Sequence, residues 1–165
     1  MHPVIVSCQG CGAVLPPDGG DLDERFNAAA ACWTLYHELL YYTLAIRDPA
    51  FIHQVAVDAY AAQHAGPRVK PISTAFALVG LYLVWERDFT GRQVQQVHMA
   101  LAPMSKTWPS FSPPSDRAWL TVQHPAASRD QSKVDAIQEW SRSVWHVWKP
   151  EEERIAELLR AYLGF

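Results

Sequence analysis

Two cysteines near the start of the chain have the spacing of metal ligands. Cys8 and Cys11 are separated by two residues, and Gly12 directly follows the second. Gly10 and Gly12 allow the backbone to turn tightly enough for both thiolates to face one ion. A structural zinc takes four protein ligands, and Cys32 is the only other cysteine in the chain. The fourth ligand must therefore be a histidine or a carboxylate.

The positions of two predicted helices indicate which histidine completes the set. Helical periodicity predicts one helix over about Asp23–Ile46 and a second over about Pro49–His64, joined by a turn of about two residues. Such a pair should pack as an antiparallel hairpin, so residues at equal distances from the turn face each other. Cys32 lies fifteen residues before this turn and His64 lies sixteen after it. We therefore expect Cys8, Cys11, Cys32 and His64 to hold one zinc ion.

A simpler interpretation competes with the zinc site. Short CxxC pairs occur by chance, and an isolated cysteine such as Cys32 is commonly a buried apolar residue. A thioredoxin-like redox use of Cys8 and Cys11 is disfavoured, because the βαβ pattern that accompanies it is missing.

Four other residues are weaker candidates for acid–base chemistry. His53 and Tyr60 share a face of the second helix, and the hairpin register places His37 near the level of Asp58. A histidine–carboxylate pair could orient an imidazole for proton transfer. The alternative is an ordinary buried hydrogen bond between two helices, which is the more common arrangement.

The composition excludes several classes of protein. The chain has 165 residues, of which 49% are hydrophobic and 19% charged, with a formal net charge of −3. These values are typical of a globular domain and disfavour nucleic-acid binding, which usually needs a basic patch. The longest apolar run, residues 75–85, is too short to span a membrane, and the first residues do not resemble a signal peptide. With an odd number of cysteines, a reduced, cytoplasmic protein is the expectation.

The period of the apolar residues is helical along most of the chain, which predicts an all-α fold. We expect a compact bundle of about five to six helices with an N-terminal zinc-knuckle arm. A single domain, 1–165, would comprise the knuckle and its loop, 1–22, and the bundle, 23–165. The buried stripe of the first helix is predicted at Phe26, Ala30, Trp33, His37, Leu40 and Leu44. The later helices are predicted at Ile72–Asp88, at Gly91–Leu101, from Ser128 to about Trp148, and from Pro150 onward.

Several of these segments resemble an uncharacterised bacterial family of unknown function over almost the whole chain. The segments that carry the resemblance are the knuckle at 8–12, Cys32-Trp33, His53, the stretch from Val57 to Gly66 (VDAYAAQHAG), and Ser143-Val144-Trp145. The resemblance supports the fold and the motif boundaries, and it implies no reaction.

Two functions are compatible with these features. The first is a small cytoplasmic helical module with a structural zinc, which binds a protein partner or a small molecule through an aromatic surface or pocket. Trp108, Phe111 and Trp119 would supply such a surface, or they could form a lid folded onto the bundle. The second is a metal-dependent enzyme on a DinB-like helical bundle, with an interior site built from His37, His53, Asp58 and either His98 or His146.

Overall fold

The prediction of an all-α fold is confirmed. The structure is a computed structural model that describes residues 4–17 and 24–165. Six helices of two or more turns and one single-turn helix form the described part of the bundle. The helices are α1 (Ala30–Ala45), α2 (Ile52–Gln63), α3 (Pro71–Arg87), α4 (Gly91–Leu101), α5 (Gln123–Ala127), α6 (Gln131–Trp148) and α7 (Glu152–Leu163).

The N-terminal arm contains a small element that the sequence did not predict. Two short strands, β1 (Val6–Ser7) and β2 (Val14–Leu15), pair antiparallel, with Val6 opposite Leu15 and Ser7 opposite Val14. The cysteine knuckle is the connection between these strands. The expected boundary between arm and bundle, at residues 22 and 23, lies outside the described residues.

Helices α2 and α3 form the centre of the bundle. α2 packs against α1, α3, α4 and α6, and α3 also contacts α4, α6 and α7. Small residues on α2, including Ala56, Ala59 and Ala62, are fully buried and permit this close packing. The indole groups of Trp140, Trp145 and Trp148 are buried in the same core.

The first helix begins later than predicted. Its expected start at Asp23 lies outside the described residues, and residues 24–26 form a separate 3-10 turn. Asn27 then adopts a left-handed backbone with φ 48°, and Ala29 is extended, so a regular helix starts only at Ala30. The predicted buried stripe was also wrong, because Leu44 is exposed and the buried face instead carries Cys32, Tyr36, Leu39 and Thr43.

The connection between α1 and α2 is longer than expected. Arg47 and Phe51 both have positive φ, of 49° and 57°, which prevents a helix from starting at Pro49. The Asp48 carboxylate nevertheless accepts a hydrogen bond from the Ile52 amide at 3.0 Å, which caps the first turn of α2.

The predicted start of the helix before Trp148 was also wrong. The Ser128 hydroxyl donates to the carbonyl of His124 and so closes α5 instead of capping a new helix. Asp130, with φ 51°, then precedes the first residue of α6, Gln131.

The proline-rich loop before α5 divides its aromatic residues between core and surface. Trp108 packs edge-on against Phe76 with ring centroids 4.9 Å apart, and Phe111 is buried beneath Arg154. Trp119 is 63% exposed and contacts His146. Trp108 and Phe111 therefore cover the bundle as a lid, and of the three aromatic residues only Trp119 exposes most of its side chain.

None of the helices in the described part of the chain combines the length and hydropathy needed to cross a bilayer.

Candidate metal centre

The cysteine knuckle is a tight turn held by its own backbone. The Cys8 amide donates to the Ala13 carbonyl, and the Gly12 amide donates to the Cys8 carbonyl, both at 2.8 Å. Gly12 has φ 80°, in the left-handed region that favours glycine. These contacts turn the side chains of Cys8 and Cys11 toward the same side of the hairpin.

Gly10 allows the knuckle to approach the helices closely. A Cβ atom at this position would lie 2.3 Å from the Asn27 carbonyl oxygen and 2.5 Å from Cδ2 of His64. Both distances are shorter than van der Waals contact, so a side chain here would push the knuckle away from the end of α2. The glycine is therefore required by the close approach.

The structure brings Cys8, Cys11, Cys32 and His64 together. Their ligand atoms all lie within 4.8 Å of one another, and the four residues are 0, 3, 0 and 3% exposed. The Nε2 atom of His64 lies 3.6 Å from Sγ of Cys8 and 3.5 Å from Sγ of Cys32. The Sγ atoms of Cys11 and Cys32 are 3.8 Å apart. This buried group could hold a metal ion.

The three distances given above are close to the edges of a tetrahedron around one ion. With metal–sulfur bonds of about 2.3 Å and a metal–nitrogen bond of about 2.0 Å, a tetrahedral centre has S···S edges of about 3.8 Å and S···N edges of about 3.5 Å. The three cysteines are free thiols, and the 3.8 Å separation of Cys11 and Cys32 is far longer than a disulfide bond of about 2.05 Å.

The imidazole of His64 is oriented for ligation through Nε2. Its Nδ1 atom lies 2.8 Å from the Tyr60 carbonyl, one helical turn earlier, and donates its proton to that oxygen. This hydrogen bond fixes the tautomer and leaves the Nε2 lone pair directed at the three thiols. Histidine ligands in proteins are commonly fixed in this way by a carbonyl or carboxylate behind the ring.

The end of α2 that carries His64 is anchored by side chains from other elements. The Asn27 amide donates to the carbonyls of His64 and Ala65, at 3.2 and 3.0 Å. The Trp148 indole donates to the Ala62 carbonyl at 3.2 Å. Carbonyls at a helix C-terminus have no partner within the helix, so these contacts both satisfy them and hold His64 in place.

Hydrogen bonds also surround the sulfur atoms. The Ala13 amide donates to Sγ of Cys11 and the Ala29 amide to Sγ of Cys8, both at 3.4 Å. The Tyr60 hydroxyl donates to Sγ of Cys32 at 3.5 Å. Donors of this kind favour thiolates, which are the form that binds metal.

The pKa shifts at the site reflect this crowding of thiols in a buried space. Hydrogen bonds from Cys11 and Cys32 lower the pKa of Cys8, whereas sharing a proton with Cys11 raises the pKa of Cys32. Burial disfavours the imidazolium form of His64, but the Cys11 and Cys8 sulfurs outweigh it and raise its pKa to about 9. The lowered pKa of Cys8 favours its thiolate, whereas the raised pKa values of Cys32 and His64 favour their protonated forms, so a metal ion would have to displace those protons.

A cavity of about 410 Å³ lies next to the cluster. One wall is a stack of three rings: Tyr36 lies parallel to Tyr60 at 3.8 Å, and Tyr60 stacks on His64 at 3.8 Å. The other lining residues come from the segment before α1, from α1 and α2, and from the chain around the start of α3: Arg25, Phe26, Trp33, Val57, Ala61, Val69, Lys70 and Ser73.

The weaker catalytic candidates do not converge on a site. His37 is exposed against Trp33, and no hydrogen bond joins it to Asp58 among the described residues. His53 bonds to the Thr43 hydroxyl at 2.9 Å. In residues 4–17 and 24–165, the Cys8 cluster is the only group of three or more potential ligands close enough to share an ion.

Asp58 and His98 belong to a separate buried chain of hydrogen bonds. The Gln54 side-chain amide donates to Asp58 at 3.1 Å and lies 3.3 Å from Nδ1 of His98. The Nε2 atom of His98 is 2.8 Å from the Phe76 carbonyl. Burial raises the pKa of Asp58 and lowers that of His98, so both side chains favour their neutral forms.

Comparison with known families gives one assignment. The profile of a family of unknown function, DUF5946, matches residues 6–149, which include all four residues of the cluster. The chain belongs to the DUF5946 family. The comparisons with curated proteins and with solved structures gave no match. The resemblance noted from the sequence, to a family of unknown function, is confirmed.

Three supporting residues of the site were not identified from the sequence. Asn27 and Trp148 fix the end of α2, and Tyr60 donates to Cys32, whereas the sequence suggests Tyr60 only as a catalytic candidate. A signal was present for Tyr60 alone, because it lies one helical turn before His64 and so on the same face.

Proposed function

We propose that this DUF5946 protein is a zinc-stabilised binding module, in which one zinc held by Cys8, Cys11, Cys32 and His64 fastens the N-terminal arm to α1 and α2. The proposal rests on the clustering of four buried ligand atoms within 4.8 Å of one another. Three thiolates and one imidazole are typical of structural zinc sites. A reducing compartment such as the cytoplasm would suit three thiolates.

A structural role is favoured over a catalytic one. Four protein ligands complete a tetrahedral shell, so no position remains for water or substrate. The ligands are also almost completely buried. Among the described residues, the other histidines and carboxylates that could support an enzyme of the DinB-like kind are dispersed.

The binding function of the module is assigned to the cavity beside the zinc centre. Its volume, about 410 Å³, falls in the range of roughly 300–1,000 Å³ that small-molecule sites occupy. Its walls are mainly aromatic and aliphatic, as such sites usually are. A small molecule therefore suits this concave site better than the flat surface of a protein partner.

Metal analysis of matched histidine variants tests the zinc assignment. We expect one zinc per chain in the purified protein and in His37→Ala, whose histidine is exposed, and none in His64→Ala after dialysis against a chelator. Zinc retained by His64→Ala with unchanged affinity, or purified wild-type protein that contains no zinc, would refute the assignment.

A variant that fills the cavity tests the binding function. Ala61 lines the cavity from α2, so Ala61→Phe should occupy it while preserving the zinc. We expect aromatic fragments observed by protein NMR to perturb residues around the cavity in the wild type and to lose this effect in Ala61→Phe. Fragments that bind equally to both proteins would place the binding site elsewhere.

A further inference from the structure

The cavity beside the metal centre has an apolar interior and a cationic rim. Trp33, Tyr36 and Tyr60 supply aromatic surface, and Val57 and Ala61 line it from α2. Such walls favour a flat, apolar ligand that can contact ring edges and faces.

Within residues 4–17 and 24–165, the charged residues that line the cavity are both basic. Arg25 and Lys70 are exposed at its edge, and no described carboxylate lines it. This is notable in a chain whose formal net charge is −3. Lys70 is also the residue that precedes α3, and Ser73 lies in the first turn, so the positive end of the helix dipole faces the same rim.

From this combination we propose that the cavity binds a planar aromatic carboxylate, with its ring against the Trp33, Tyr36 and Tyr60 side chains and its carboxylate at the Lys70 edge. The inference rests on the proposed binding function and adds the chemical class of the ligand. The exposed Lys70 side chain pairs with the carboxylate without requiring a buried charge.

The ligand site and the zinc centre share two side chains. His64 lines the cavity and belongs to the ligand cluster, and Tyr60 both lines the cavity and donates to Cys32. The wall of the cavity therefore depends on the metal centre, and ligand binding and zinc retention should reinforce each other.

Three naphthalene probes of similar shape test the charge preference: naphthoate, neutral naphthamide and cationic naphthylmethylamine. Calorimetry on the zinc-loaded chain should give naphthoate an affinity about threefold to fivefold above that of naphthamide, with the amine weakest. Ala61→Phe should abolish binding of all three while it keeps its zinc.

Two lysine variants test which side chain contacts the carboxylate of the ligand. Lys70→Gln should lower the affinity for naphthoate toward that for naphthamide and leave naphthamide unaffected. Lys106→Gln, an exposed lysine outside the cavity lining, should leave both affinities unchanged.

The outcomes separate the inference from the proposed function. Equal affinity for the three probes, or an unchanged preference for naphthoate in Lys70→Gln, overturns the carboxylate assignment. The proposed function, a module that binds a small molecule in this cavity, would then still hold for a neutral ligand. Failure of the zinc-loaded chain to bind any of the three probes overturns the inference. The zinc assignment is tested separately, by metal analysis.

Discussion

Two polar regions lie along the same helix, α2, and they differ in what their side-chain nitrogen, oxygen and sulfur atoms face. At the C-terminal end, His64 and three cysteines direct their acceptor atoms toward one another within 4.8 Å. Nearer the start of the helix, Gln54 links Asp58 to His98 of α4 through hydrogen bonds. The first region could hold a metal ion, whereas the side chains of the second already pair with one another.

The contrast teaches how a candidate metal centre differs from a hydrogen-bond network that also contains a histidine. Both contain a histidine whose second ring nitrogen is fixed by a backbone carbonyl, Tyr60 for His64 and Phe76 for His98. For His98, the remaining nitrogen accepts from Gln54, so no lone pair is left for a metal. Of these two histidines, only His64 has a ring nitrogen that faces further potential metal ligands.

The largest expected effect is the removal of a thiolate ligand. Cys32→Ser should abolish zinc binding and lower the free energy of unfolding by several kcal/mol, since zinc binding at such sites contributes directly to folding. Chemical denaturation with and without a chelator measures this. The wild type should be destabilised by the chelator and the variant should be insensitive to it. A Cys32→Ser variant as stable as the wild type would contradict a stabilising metal ion at this site.

The close approach at Gly10 should produce the next largest effect. Gly10→Ala places a Cβ against the Asn27 carbonyl and His64, and we expect a loss of about 2–3 kcal/mol together with weaker zinc binding. Gly164→Ala is the matched control, because that glycine has a positive φ but open space around it. Backbone strain alone should cost it about 1 kcal/mol without changing zinc affinity. Equal effects of the two changes would contradict the close-approach argument.

The hydrogen-bond network should respond to pH and not to metal. Burial raises the pKa of Asp58 above its value in the unfolded chain, so the folded state holds a proton that the unfolded state releases. Stability from this group is complete below the unfolded pKa, about 4, and is lost as the pH rises toward the folded pKa.

Asp58→Asn removes this dependence. The stability of the variant relative to the wild type should increase with pH, by at most about 1.4 kcal/mol per pH unit, and zinc content should not change. Denaturation curves at several pH values measure the difference. A difference that stays constant with pH would show that Asp58 has the same pKa in both states.

The smallest expected effect is the loss of the hydroxyl that contacts the site. Tyr60→Phe removes the donor to Cys32 but keeps the ring stacked on His64. We expect a loss of about 0.5–1.5 kcal/mol and retention of one zinc. Loss of the zinc would mean that Tyr60 has a larger role than a single hydrogen bond.

The register argument placed Cys32 and His64 at the same level even though the helix ends were misjudged. The connection spans residues 46–51, because α1 ends one residue before its predicted end and α2 begins three residues after its predicted start. Cys32 still lies thirteen residues before the end of α1 and His64 twelve residues after the start of α2, so with a regular rise per residue the two positions stay at the same level. The axial distance between residues on regular helices can thus be predicted from the sequence.

The local features could not be predicted in the same way. Arg47 and Phe51 adopt left-handed conformations that their residue types rarely take, so residue type gives no signal for them. The buried face of α1 was misassigned because the helix is apolar on several sides, so more than one stripe fits the pattern. The anchoring of His64 by Trp148, far along the chain, has no signal in a single sequence.

X-ray absorption at the zinc edge of the purified chain tests the central claim most directly. The account predicts one zinc with three sulfur neighbours at about 2.3 Å and one nitrogen neighbour at about 2.0 Å. The site contains three cysteines and one histidine. A zinc with fewer than three sulfur neighbours, or with a coordinated water in place of the histidine, would therefore contradict the account.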